Sequence, residues 1–283
     1  MLKNKALNGW NLFWLISAPI SLAIIVRMTQ VDLSSAAGVS SMIQLAVRCA
    51  VPWLFLAFAA SSLQVVLPGS FSRWLLRNRK FIGLCFAMAM GWQLTFILWL
   101  VGVHTDYYVN DVYVLSDVVE GTVGYSLLIA MVFTSFKFGR GLLSPKQWRL
   151  LHTGGIYWLW FYAWSVYWFN LFYYESPAVL LDYFYYWGGL LAWGLRVWAW
   201  AKKKSGTDRT RNALLLAPAG ALLLVGLIGS SIGRAWSPQV YEYLFGFQIV
   251  ESLDSFMPYF PLVPFYPLAI MMLGALLIVR SKA

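Results

Sequence analysis

Eight apolar stretches, each long enough to cross a membrane as a helix, constrain this chain more than any single motif. They run approximately over 8–27, 41–66, 81–103, 118–136, 150–172, 178–200, 212–234 and 260–279. At ~1.5 Å rise per residue, runs of this length match ~30 Å of hydrocarbon. Inside that layer no water is present to bond free N–H and C=O groups, so each stretch must satisfy its own backbone as a helix. Composition points the same way: 60% of residues are hydrophobic and 11% charged, whereas soluble domains carry roughly 25% charge. The expectation is an all-α integral membrane protein, a polytopic bundle of about eight transmembrane helices with the lipid bilayer as its first partner. No short apolar core leading to a small-residue cleavage site occurs before Arg27, so the first stretch reads as a helix and not as a cleaved signal.

Charge orders the spans. Lys3 and Lys5, then Arg73, Arg77, Arg79 and Lys80, fall on one side of an eight-helix path, as do Lys137, Arg140, Lys146 and Arg149. Lys202, Lys203, Lys204, Arg209 and Arg211, with Arg280 and Lys282, complete 17 of the 21 Lys and Arg. The positive-inside rule makes that side cytoplasmic and places both termini there, in a membrane of the bacterial inner type. Of the 11 acids only Asp208 shares it. The net charge of +10 is therefore a signal of topology, with attraction to anionic lipid as its consequence, and gives no reason to expect nucleic acid.

The longest stretches outside the spans are the outer loop 104–117 and the segment 235–259. Neither holds a soluble catalytic domain, and no Gly-rich nucleotide turn or P-loop occurs. Cys49 and Cys85 lie inside spans and read as structural thiols. Among intramembrane polar groups, Arg48 needs a partner or water, and Asp117 and Glu120 at the start of the fourth span share its depth. Asp182 and Arg234 pair similarly or reach the interface. Gly154, Gly155, Gly188, Gly189 and Gly220 read as close helix contacts. Residues 238–256 suit an amphipathic helix on the outer surface, suited to membrane adhesion or to docking an outer protein partner.

Ordered polar landmarks add a resemblance. The stretches LLRNRKFIGLCFAMAMGWQ (75–93), TVGYSLLIAMVFTSFKFGRGLLSPKQWRLLHTGGIYW (122–158) and ESPAVLLDYFYYWGGLLAWGLRVWAWAKKK (175–204) resemble the ferric-reductase-like transmembrane domain. The nearest branch is the haem-binding membrane subunit of the periplasmic methionine sulfoxide reductase system. Shared features are the basic cluster entering the third span, Thr134-Ser135 ending the fourth, and W-x-x-L-H entering the fifth. The resemblance implies a six-helix core over 1–204, with two further helices in 205–283. It also implies b-type haem between the third and fifth spans, carrying electrons outward from a cytoplasmic donor.

Its ligands do not transfer. One third-span histidine falls on Gln93, the second fifth-span histidine falls on Ser165, and only His152 is kept. Neither an amide nor a hydroxyl replaces imidazole on haem iron. The residue of the third span facing His152 is expected near Lys80, and His104 reads as a loop residue. From Ile156 to Tyr174 there are 12 aromatics in 19 residues, so Trp and Tyr rings are expected to fill the volume a lost haem would leave. A lipid-facing aromatic belt competes but does not account for mid-span Trp160 and Trp164, and electron hopping along the rings lacks supporting spacing. Three functions follow. The first is a ferric-reductase-like protein without haem, acting as a non-catalytic subunit or assembly partner. The second is an electron-transfer subunit using haem or flavin at His152. The third is a small-molecule or lipid transporter using Arg48 and the outer acids. No cofactor is required by the first.

Overall fold

A computed structural model describes residues 2, 4–175, 177–204 and 213–281. Lys3, Asp208, Arg209, Arg211 and Lys282, which entered the charge argument, lie outside the described residues. The described residues form helices joined by short turns, without strands. Two compact units result, Met1–Ala60 with Gly69–Trp160, and Ser61–Pro68 with Phe161–Ala283.

The first unit begins with a 3-10 turn at Lys5–Leu7 and α1 (Gly9–Met28), followed by α2 (Ala36–Val66), whose last six residues belong to the second unit. Before α2, the Asp32 carboxylate accepts bonds from the Ser34 N–H (3.0 Å) and hydroxyl (2.6 Å). These hold its carboxyl below the ordinary value. Next come α3 (Ser70–Val103), the single turn α4 (Thr105–Tyr107) with a π turn at Tyr108–Val112, and α5 (Leu115–Phe133). The loop 104–117 is therefore mostly helical. The short α6 (Lys137–Gly141) leads into α7 (Pro145–Phe172).

Polar clasps fix α1 against α3 at their basic ends. The Gly9 N–H donates to Asn78 Oδ1 at 3.0 Å, Asn78 Nδ2 donates to Asn8 Oδ1 at 2.9 Å, and Trp74 Nε1 donates to the Leu7 carbonyl at 2.7 Å. At the other end, Ile24, Val39, Met42, Ala46, Phe96 and Leu100 form one buried cluster.

The second unit contains the rest of α7, then α8 (Leu180–Lys204), α9 (Ala213–Ser231), α10 (Gly233–Phe245), α11 (Gln248–Asp254), a 3-10 turn at Val263–Phe265 and α12 (Tyr266–Arg280). Helices α9 and α12 pack through glycine. A Cβ on Gly274 would lie 2.8 Å from the Ala219 carbonyl oxygen, and one on Gly226 would lie 2.6 Å from that of Pro267. The sequence pointed to Gly154, Gly155, Gly188, Gly189 and Gly220. Gly155 does meet Met131, whereas Gly154 and Gly220 face open space. A glycine marks a contact only when its face of the helix meets a neighbour, and sequence does not reveal the face.

Six helical segments are long and apolar enough to cross a membrane: Gly9–Met28, Ala36–Val66, Ser70–Val103, Leu115–Phe133, Leu214–Ser231 and Val263–Arg280. Helices α7 and α8, of 28 and 25 residues, have the length but are less apolar. They are built on Trp and Tyr, whose N–H and O–H are polar, and carry charges such as Arg149, Asp182 and Lys202. Large apolar side chains such as Trp14, Leu22, Ile129 and Leu224 are exposed on α1, α5 and α9. A lipid environment explains this outward-facing apolar surface.

The amphipathic helix expected over 238–256 is instead two helices. The first starts at Gly233, directly after α9, and Gly246 caps it before Phe247 extends the backbone into α11. Hydropathy saw one polar-apolar alternation and missed the extended Phe247 at which the helix ends.

Candidate functional site

The end of α5 and the start of α7 bring together Thr134, Trp148 and His152. His152 is buried, its ring stacks on Trp148 with centroids 4.2 Å apart, and Nε2 lies 3.0 Å from Thr134 Oγ1. The Thr134 hydroxyl also lies 2.7 Å from the Ala130 carbonyl oxygen, which can only accept. The single hydroxyl proton therefore goes to Ala130, and Nε2–H donates to Thr134. Trp148 Nε1 donates to the Thr134 carbonyl at 3.1 Å, closing the corner.

A cavity of about 440 Å³ opens beside this corner. Arg79, Lys80, Lys137, Arg140 and His152 line it, with Leu54, Leu84, Phe86 and Leu128 among its apolar walls. No Asp or Glu is among the described residues lining it. Lys80, expected to face His152, does share the cavity, and its ammonium lies 4.5 Å from the Phe136 ring centroid. Arg140 sits 5.0 Å from the Trp148 centroid and donates to the Leu143 carbonyl at 3.0 Å. Both contacts lie within cation–π range and limit the freedom of the cations.

Gln93 lies 13 residues further along α3 than Lys80, or ~20 Å at helical rise. It is buried, and the Tyr125 hydroxyl is 2.7 Å from its Oε1 and 3.2 Å from the Met90 carbonyl oxygen. Trp92 turns away to α1, where its Nε1 donates to Ser21 Oγ at 3.0 Å. In the second unit, buried Ser165 donates to the Tyr162 carbonyl of its own helix at 2.9 Å.

At His152 the hydrogen bond to Thr134 occupies Nε2, and Nδ1 keeps its lone pair. Gln93 offers an amide already bonded to tyrosine, and Ser165 a hydroxyl turned onto its helix. The described residues also contain no cluster of three or more His, Cys, Asp or Glu arranged to hold a metal ion.

Trp160, Trp164 and Trp168 recur every fourth residue on α7, and all three are fully buried. Phe58 stacks on Trp160 at 5.3 Å in the first unit, and Tyr186 stacks on Trp164 at 5.3 Å in the second. The mid-helix rings therefore face protein, which sets aside the lipid-belt reading for them. Arg48 is half-buried on α2; Asp117 is exposed in the first turn of α5, and Glu120 half-buried one turn later. The Glu120 carbonyl accepts from Trp158 Nε1 at 3.3 Å.

Asp182 and Arg234 each bond to backbone. Asp182 is buried and its Oδ2 accepts the Val179 N–H at 3.0 Å. Arg234 donates to the Leu171 and Tyr174 carbonyls at 2.8 and 2.9 Å, a cation closing the C-terminal end of α7. His104 terminates α3, and its Nε2 is buried without a partner among the described residues. Burial pushes the Tyr241 phenol of α10 upward, so it stays neutral.

The sequence reading missed Tyr125, although a tyrosine one helical span from an intramembrane glutamine was a usable signal. It also missed the cavity. No family model matches the chain, and neither a curated protein nor a solved structure is similar to it.

Proposed function

We propose that the chain is an eight-span protein of a bacterial inner membrane, with α7 and α8 as the two aromatic spans and both termini cytoplasmic. In this reading its core is ferric-reductase-like, its haem sites are lost, and it serves as a non-catalytic subunit or assembly partner of a membrane complex. The observation carrying the proposal is that the residues standing at the ligand positions are committed elsewhere. Gln93 is bonded to Tyr125, and His152 directs Nε2–H at Thr134. The buried Trp stripe of α7 supports it, because rings of that size are what a core needs where a macrocycle is gone.

A second reading, an electron-transfer subunit with haem or flavin at His152, is favoured by the cavity beside that residue. A visible absorption spectrum of the purified protein separates the two. The expected spectrum lacks both a Soret band and flavin absorption, and either feature at stoichiometric intensity sinks the first reading. Reporter fusions after Lys204 and after Ala283 should both read cytoplasmic. An outer signal at either point overturns the eight-span path.

A further inference from the structure

We propose that the first unit holds one anionic phospholipid, its phosphate among the cations of the His152 cavity and one acyl chain in a groove along α3. The cavity supplies the charge: Arg79, Lys80, Lys137 and Arg140 line it without an acid among the described lining residues. The groove supplies the apolar bed. It has a volume of about 610 Å³ and is lined by residues such as Trp10, Phe13, Ala87, Met88, Gly91 and Leu94, with no charged residue among the described ones.

The two spaces adjoin, since Leu84, Leu128, Val132 and Phe136 line both. Ten residues separate Leu84 from Leu94 on α3, or ~15 Å, half of the ~30 Å hydrocarbon layer and the depth of one leaflet. Trp10 and Phe136 stack at 6.2 Å where cavity and groove meet, the level at which aromatic rings favour the lipid interface. A soluble anion would use only the cationic cavity, and an apolar molecule only the groove. The pair together matches a ligand with an anionic head and a long tail.

Glycines confirm the open space. A Cβ added at Gly83 in the cavity, or at Gly91 in the groove, meets nothing within 4 Å. Both positions accept a Cβ without a clash, so larger residues there would extend into the space assigned to the lipid.

The test uses the full chain in detergent, titrated with phosphatidylglycerol, phosphatidylcholine or glycerol phosphate and read by native mass spectrometry. Phosphatidylglycerol should bind one to one and at least about tenfold more tightly than phosphatidylcholine. Lys80→Gln with Lys137→Gln should weaken phosphatidylglycerol roughly thirtyfold and leave phosphatidylcholine unchanged, because each surface cation contributes about fivefold. Gly91→Leu should weaken both lipids at an unaltered Tm; if that variant does not fold, Gly83→Leu repeats the test at the cavity itself. Equal affinity for the two lipids overturns the proposal, as does wild-type binding by the folded groove variant. Glycerol phosphate bound as tightly as phosphatidylglycerol also overturns it and identifies a water-soluble anion as the occupant.

Discussion

At the basic end of the first unit, His152 and Thr134 border an open cavity lined by cations, whereas ~20 Å along α3 buried Gln93 is clasped by the half-buried Tyr125. Both pairs put polar atoms inside apolar helices, and each solves the resulting problem differently. The clasp satisfies the Gln93 oxygen within the protein, with half-buried Tyr125 also forming part of the wall of the apolar groove. The cavity keeps a histidine–threonine bond on one wall and offers its remaining polar surface to water or a ligand. A polar group within a membrane core persists in one of these two ways, and the position of an open volume decides which.

The strongest way to break this comparison is to open the closed side. Trp160→Ala removes a fully buried ring stacked on Phe58 and should cost about 3–5 kcal/mol of unfolding free energy in detergent. A loss below ~1 kcal/mol would show that the aromatic layer is not packed.

Tyr125→Phe comes next. It leaves Gln93 Oε1 without its donor, at about 1–3 kcal/mol, and adding Gln93→Leu should recover most of that loss. A double variant no better than the single would mean that the clasp does not hold the layer.

Thr134→Val makes the corresponding change at the open side, removing the acceptor of His152 Nε2–H. Water from the cavity can replace it, so a loss of only about 0.5–1 kcal/mol is expected. A greater loss than for Tyr125→Phe would reverse the comparison.

The smallest effect is a gain. Gly83→Ala places a methyl in open space on a helix and should stabilise by up to about 0.5–1 kcal/mol. A destabilised variant would show that the cavity wall moves inward.

Helix positions along much of the chain were legible because apolar length and flanking charge are local properties. Six helices long and apolar enough to cross a membrane emerge from them directly, and the stretches expected as spans over 150–172 and 178–200 are helical in α7 and α8. The amphipathic segment was only partly legible. The one helix expected over 238–256 is two, divided at the extended Phe247, and the first opens at Gly233 directly after α9. Asp182 and Arg234 looked like partners because opposite charges attract, yet each found backbone groups that α7 and α8 left open at their ends. Those orphan groups exist only once helix ends have been placed.

By itself the sequence determined the helical character of the described residues and their apolar segments, since each depends on composition within one stretch, whereas Gln93 and Ser165 were singled out only by a resemblance. Tertiary structure alone decided that Gln93 meets Tyr125, that Trp92 turns to α1, and that Arg79, Lys80, Lys137 and Arg140 surround one cavity. The reason is rotational. A helix repeats every 3.6 residues, so a few degrees of turn about its axis change which side chains meet a neighbour, and hydropathy along the chain carries no record of that angle.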